Sequence, residues 1–450
     1  MFISVFLSLI LCIIEGTGAV WTSPMLKKLN GTDDNPLKRI ISIDESSLLA
    51  SLPIIGSTLS SFLIITLSDK LGRKPLLALH GLASLVYLLM FAFFANIWCY
   101  YMARVISGIN SAVISIIVPL YICELADSSS RGTLAAGMIV SMNVGILITF
   151  IGGPYIPFFW YHSLMALLPI CFIIFFSAFA LESPYYNPQG VSSRTEELLK
   201  KLRGVDDVTD ELNEIKRCLE ETTEENFFEQ IKLKGPRKAF MLGVGLTILA
   251  TCSGPSVIIT YTQMIFDYAE GNWSGEVENI ILGSVQLVVS VFAAIVMDKF
   301  QRKHLMIVSA AMQALSLALL SLYLILKDKG VDVEAFGWAP LLCFLSYVSF
   351  YNMGFGPLWN TVIGELLPQG IKDTAMTICS LLNSGIVFVF TMIFQRIEKS
   401  IGLGQTLMFF SVITLLSAVY VAIFIVETKG KTLEEIQLEL NGKKLKPAPL

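Results

Sequence analysis

Three acid–base sets recur along this chain at matching places. Asp69-Lys-Leu-Gly-Arg73 returns 229 residues later as Asp298-Lys-Phe-Gln-Arg302. Glu124 precedes Arg131 by seven residues and Glu365 precedes Lys372 by seven, an offset of 241. Glu182 and Glu427 stand 245 apart. Charges in this pattern break no bonds. They suit ion pairs that clamp one conformation and release in another. Exposed pairs are worth about 0–1 kcal/mol each. Several together bias two states separated by a few kcal/mol. A second kind of chemistry rests on Glu15 and Arg104, which stand inside long apolar runs. Ionisable groups in such runs are rare and mark functional sites by default. A carboxyl balanced between apolar surroundings and a nearby Arg can release and take up a proton. A permanent ion pair, or snorkelling toward the surface, is the structural alternative.

Other chemistries lack their residues. The eight cysteines are scattered without a CxxC, and read as small hydrophobes in a bundle. His80, His162 and His304 are isolated, so no metal site is expected. There is no Walker motif, HExxH or Ser/His/Asp arrangement. An enzyme and a resident cofactor are therefore not expected.

The elements that position these charges follow from composition. The chain has 450 residues, 54% hydrophobic and 15% charged, where soluble proteins average about 25% charged. That is too little charge for an ordinary cytosolic surface. The net charge of −4 gives no footprint for nucleic acid. A bilayer crossing needs about 20 apolar residues. Twelve segments qualify: 2–23, 47–68, 75–97, 99–121, 134–155, 159–181, 239–262, 279–297, 305–326, 338–362, 374–395 and 405–426. Trp98 alone separates the third from the fourth. The first segment has a secretory signal peptide as its alternative reading.

Most Lys and Arg fall in the even-numbered loops and the tail, which places both termini in the cytoplasm. Lys27, Lys28, Lys38 and Arg39 in the first outer loop oppose that bias. The sequons at Asn30 and Asn272 fall in outer loops, where glycosylation can reach them. Glu15 then lies about 12 Å and Arg104 about 8 Å below the outer surface, within a helical turn of each other.

The polar stretch 185–237 reads as short cytosolic helices, one opened by a capping box at Ser193 and Glu196 with Leu198, Leu199 and Leu202 on its apolar face. It divides the chain into a bundle over 1–184, a linker over 185–237, a second bundle over 238–427 and a tail over 428–450. The repeated charges make the bundles two homologous halves. The expected architecture is an all-α membrane protein with twelve transmembrane helices in two pseudo-symmetric six-helix bundles, with a solute site near the midplane between them.

These motifs resemble the sugar porters of the major facilitator superfamily along nearly the whole chain. Asp69-Lys-Leu-Gly-Arg-Lys74 is similar to the superfamily's loop motif between spans two and three. Pro119-Leu-Tyr121-Ile-Cys-Glu124 with Arg131-Gly132, Glu182-Ser-Pro184, and Glu427-Thr-Lys-Gly-Lys-Thr-Leu-Glu-Glu435 resemble the signatures after spans four, six and twelve. Ser253-Gly254 and Gly354-Phe-Gly-Pro357 match further pieces. Thr22-Ser-Pro24 ending span one is most similar to the insect facilitated trehalose transporters.

The resemblance implies a carrier of small polar solutes, with sugar (hexose or trehalose) the leading class. It also implies that Arg104-Val-Ile-Ser-Gly108 carries the family's span-four Arg. In proton-coupled members that Arg works with a span-one Asp, about three residues after Glu15.

The departures concern sugar contacts. Ile139 stands where the family has a span-five Gln. The span-seven pattern Gln-Gln-x-Ser-Gly-x-Asn reads Ala250-Thr251-Cys252-Ser253-Gly254-Pro255-Ser256. Gln286 replaces an Asn, Asn360 a Trp, Ser384 a Trp and Tyr185 an Arg. Sugars are held by amide forks, so the loss of several changes what the site discriminates. The polar and aromatic candidates that remain are Asn143, Thr251, Ser256, Tyr261, Gln286, Trp359, Asn360 and Asn383. Each is alternatively glue between helices.

The glycines at 16, 18, 108, 145, 254, 354 and 356 allow close helix approach or, near Pro255 and Pro357, broken helices. Facilitative uniport by alternating access in the plasma membrane is the expected function. Proton-coupled symport through Glu15 and Arg104, and a non-transporting solute sensor, are the alternatives. The expected partners are a small solute, the lipid bilayer and, in the symport reading, a proton.

Overall fold

Asn96 divides the longest apolar run. Helix Arg73–Phe93 stops before it and helix Ile97–Leu125 begins after it, because the Asn96 side chain accepts the Trp98 N–H at 2.9 Å and caps the new helix. The break thus sits at residues 94–96, just ahead of Trp98. The computed structural model describes residues 2–31, 34–126, 131–184, 186, 196, 199–200, 212, 230–296, 299–429, 431 and 435–436. Of the capping box and leucine face expected at 193–202, Glu196 and Leu199 are described, both on helix and Leu199 buried, while Ser193, Leu198 and Leu202 lie outside this set. Each of the twelve apolar segments is mostly helix over its described residues. Among the described residues, ten helical stretches are each long and apolar enough to cross a bilayer, and a pair bent by 40° supplies an eleventh. The remaining segment, 47–68, lies within a 29-residue helix, about 44 Å long.

The chain divides into two compact units, Met1–Thr223 and Glu224–Leu450. The first holds α1 (Phe2–Ala19), α2 (Thr22–Asn30), α3 (Ile43–Leu71), α4 (Arg73–Phe93), α5 (Ile97–Leu125), α6 (Arg131–Tyr155), α7 (Phe158–Met165) and α8 (Leu167–Phe179). In α3 the Ser42 hydroxyl accepts the Glu45 N–H at 3.2 Å, and the Glu45 carboxylate accepts the Ser42 N–H at 2.8 Å. Lipid gives little hydrophobic drive between helices, so close packing must hold them together. It does so at two crossings. A methyl on Gly16 or Gly145 would overlap a backbone carbonyl across the α1–α6 crossing, and a methyl on Gly56 or Gly108 would do so across α3–α5. Leu11, Ile14, Ile117, Tyr121, Phe172 and Phe176 fill the core. At one end, Trp21 stacks on Phe91 at 4.5 Å and its indole N–H donates to His162 Nε2 at 2.8 Å. With Nε2 accepting, His162 Nδ1 carries the proton and meets the Phe158 carbonyl at 2.7 Å.

The second unit holds α9 (Lys234–Cys252), α10 (Pro255–Thr260), α11 (Thr262–Ala269), α12 (Gly275–Val296), α13 (Arg302–Asp328), α14 (Ala339–Phe350), α15 (Gly356–Leu366), α16 (Gln369–Ile401) and α17 (Leu403–Phe424). Two of its spans are broken, each at a proline. The α9–α10 break turns on Gly254, whose φ of 78° suits glycine, with Pro255 starting the next helix. Between α14 and α15, Tyr351–Phe355 forms a single π-helical turn. Pro357 has no N–H for the carbonyl four residues back, and the wider turn absorbs the mismatch.

Candidate functional site

Arg73 and Glu124 meet across the ends of α4 and α5. The guanidinium donates to both Glu124 oxygens, at 3.2 and 3.1 Å, and to the Ser68 carbonyl at 3.1 Å. Glu182 sits at the start of α4. Its Oε1 accepts the Arg73 and Lys74 backbone N–H groups, each at 3.0 Å, where the helix dipole favours a carboxylate. The side chains of Arg73 and Glu124 are 11% and 9% exposed, so the bidentate pair is largely out of solvent.

The second unit repeats the cluster. Arg302 pairs with Glu365. Glu427 accepts the Arg302 and Lys303 N–H groups at 3.2 and 3.1 Å. Each unit thus builds an Arg–Glu pair with a second Glu capping the Arg's own helix. The second unit's pair differs in exposure, at 28% and 30%. Asp298 and the side chains of Asp69 and Arg131 lie outside the described residues. Lys372 is partly buried, with its stem beside Gly364.

The structure places Arg104 and Glu15 in the same unit without a direct ion pair between them. Arg104 Nε donates to the Leu49 carbonyl at 2.8 Å and Nη1 to the Gly18 carbonyl at 3.3 Å. Its guanidinium lies 4.9 Å from the Trp21 ring centre, a cation–π contact. Pro53 inside α3 explains the first bond. Proline has no N–H, so the Leu49 carbonyl one turn earlier lacks its helical donor, and Arg104 supplies one. The Gly18 carbonyl at the end of α1 already accepts the Trp21 N–H at 3.3 Å, so Arg104 is its second donor. Arg104 is 4% exposed, and its bond to Leu49 satisfies a carbonyl that would otherwise be stranded. Glu15 is half-buried, with the Ser111 side chain against its carboxyl and Arg104 near enough to act through charge.

The other candidates separate into three groups. Thr251 and Asn383 are joined across α9 and α16, with the Thr251 oxygen 2.9 Å from Asn383 Oδ1 and 2.7 Å from the Thr247 carbonyl. One hydroxyl proton cannot serve both acceptors. The consistent arrangement has the Asn383 amide turned so that its NH2 donates to Thr251, and Thr251 donates to Thr247. The Asn383 amide oxygen is then directed away from Thr251. Tyr261 is committed elsewhere, its hydroxyl donating to the Thr391 carbonyl at 3.0 Å and its ring stacked on Phe394 at 4.9 Å. Ser256 and Asn360 are exposed and Trp359 is partly buried against the core. Asn143 and Gln286 are buried, at 3% and 8% exposure, without a side-chain hydrogen bond among the described residues. Asn30 and Asn272 are both exposed.

The sequence model of the sugar (and other) transporter family matches residues 18–440. The chain belongs to this family. Members similar to it include the facilitated trehalose transporter Tret1 of Polypedilum vanderplanki, 28% identical over 434 residues, which cover 96% of this chain and 86% of that one. Tret1 of Bombyx mori is 29% identical over 430 residues, covering 95% and 84%. Among solved structures, the inward-open xylose transporter XylE of E. coli matches with a TM-score of 0.82 at 21% identity, over 97% of this chain and 98% of that one. A second structure of XylE, a major facilitator superfamily protein, matches with a TM-score of 0.72 at 20% identity, over 98% of each chain. These last two support the fold alone. The family member described here is a multi-pass membrane carrier of the major facilitator fold and not an enzyme.

Glu278 was missed in the sequence. It lies one residue before the eighth apolar segment, where the sequence reads it as loop charge, yet it is 0% exposed. An acid directly before an apolar run and followed by Asn279 was the available signal.

Proposed function

We propose that the chain moves a sugar, trehalose or a hexose, down its gradient by alternating access. The observation that carries this is the family match over residues 18–440, with relatives named as facilitated trehalose transporters along nearly all of the chain. The repeated Arg–Glu–Glu clusters support a protein that still cycles, because their charges are kept in both units. The bias of Lys and Arg supports cytoplasmic termini, and the exposed sequons at Asn30 and Asn272 support the secretory route and the plasma membrane. The sugar is bound in part by Asn383, held by Thr251. Asn383→Ala is expected to raise KM about 3- to 10-fold, the worth of one neutral hydrogen bond. Initial uptake rates into proteoliposomes measure this, and an unchanged KM removes Asn383 from the site.

Proton-coupled symport is the second reading, favoured by one observation. Two of the five Arg104 N–H groups go to the Leu49 and Gly18 carbonyls and none to Glu15, which stands without an ion-pair partner among the described residues. Uniport predicts that an inward acid gradient drives no accumulation and that Glu15→Gln exchanges sugar at the wild-type rate. Accumulation by the wild type that Glu15→Gln loses, with exchange retained, establishes symport instead.

A further inference from the structure

At the end of the second unit opposite Arg302, a buried carboxylate stands without a partner. Glu278 is 0% exposed, and neither carboxylate oxygen has a hydrogen-bond donor; the same holds for Oδ1 of Asn279, 1% exposed. The orientation of that amide is forced. Gln263 Nε2 donates to Asp267 Oδ1 at 3.1 Å, and only an NH2 can do so. Gln263 Oε1 therefore faces Asn279, whose Nδ2 donates to it. Asn279 Oδ1 is left buried with nothing to accept. Three buried acceptors thus lack a donor.

One of these oxygens lies against Gly271, beside a backbone carbonyl. A methyl there would lie 2.7 Å from Glu278 Oε1 and 2.8 Å from the Gly337 carbonyl oxygen. Both oxygens thus face the side of the Gly271 Cα on which any other residue would carry a side chain. The charges around it do not neutralise Glu278. Asp267 is exposed and adds negative potential. Tyr323 is the nearby hydroxyl. Lys327 is held by Glu270 at 2.8 Å and by the Tyr268 and Ala269 carbonyls at 2.8 and 3.2 Å. Glu278 lies in the first turns of α12, where the helix dipole favours its charged form.

We propose that Glu278, Asn279 Oδ1 and the Gly337 carbonyl bind a monovalent alkali cation of sodium size. The donor set is oxygen only, which selects hard cations. One buried carboxylate matches a single positive charge, whereas calcium sites gather 6–8 oxygens and usually several carboxylates. A proton meets one of the three acceptors and adds a donor of its own. A water meets two but leaves the buried charge uncompensated. The cation meets all three and the charge.

The test uses the purified full-length protein in detergent. Radioactive sodium is expected to bind saturably, and sodium chloride to raise the melting midpoint above that in choline chloride at equal ionic strength. Glu278→Gln removes the charge and Gly271→Ala sets a methyl against the Glu278 and Gly337 oxygens. Each is expected to lower sodium affinity by about tenfold or more, roughly 1.4 kcal/mol. Glu278→Gln should fold at least as well as wild type in choline, since it discards an uncompensated buried charge. No saturable sodium binding by wild type overturns the proposal. So does sodium binding undiminished in both variants, stabilisation by calcium alone, or a midpoint that follows pH and ignores sodium. The assay requires no transport, so its failure is distinct from failure of the carrier reading.

Discussion

Arg73→Ala will lower sugar uptake at least about tenfold at equal protein in the vesicles. The reason is the partner it strands. Glu124 loses a bidentate guanidinium while its side chain stays 9% exposed, and removing one member of a buried pair costs about 3–5 kcal/mol. A carrier cycles between states a few kcal/mol apart, so a penalty of that size confined to one state empties it. Arg302→Ala breaks the corresponding pair with Glu365, where both side chains are about three times as exposed. Its effect should be smaller, because solvent can take over the freed carboxylate. Exchanging the charges, Arg73→Glu with Glu124→Arg, should restore part of the uptake. Wild-type uptake by Arg73→Ala would mean the cluster is only a solvated helix end.

Gly108→Ala is the second large effect, and it falls on folding. The added methyl would overlap the Pro53 carbonyl oxygen, and backbone cannot rotate aside as a side chain can. The α3–α5 crossing must open. Overpacking typically costs about 1–3 kcal/mol and sometimes more, and a backbone clash belongs at the upper end. Gly145→Ala should act alike at the α1–α6 crossing. Gly385→Ala is the control, since nothing lies within 4 Å of its added methyl. It should leave stability unchanged or raise it by about 0.5–1 kcal/mol through helix propensity. Size-exclusion profiles and melting midpoints in detergent measure all three. A monodisperse Gly108→Ala protein melting like wild type would show that the crossing tolerates separation.

These cases show which parts of the molecule were legible from residues alone. Helices were, because a bilayer demands about 20 apolar residues per crossing and charge is excluded from them. The broken spans were, because Pro255 and Pro357 remove backbone donors wherever they stand. The ionic residues were found through their repeat, but their partners were not. Glu124 has Arg131 seven residues away, yet it bonds Arg73 from another helix, a choice made by packing that no local spacing reports. Arg104 shows the same limit more sharply. Its partner is a carbonyl that Pro53 vacated on a different helix, so its bonding could be derived only once α3 and α5 were seen to cross. Glu278 escaped because it packs against Gly271, and a glycine that approaches a side chain looks like any loop glycine in sequence.

Sugar counterflow in proteoliposomes tests the account most directly. Vesicles preloaded with unlabelled trehalose or hexose are placed in a trace of the labelled sugar, with no ion gradient. The account predicts a transient, saturable accumulation of label for at least one of these sugars, absent from protein-free vesicles. A folded, monodisperse protein that gives no counterflow with any of them would contradict it.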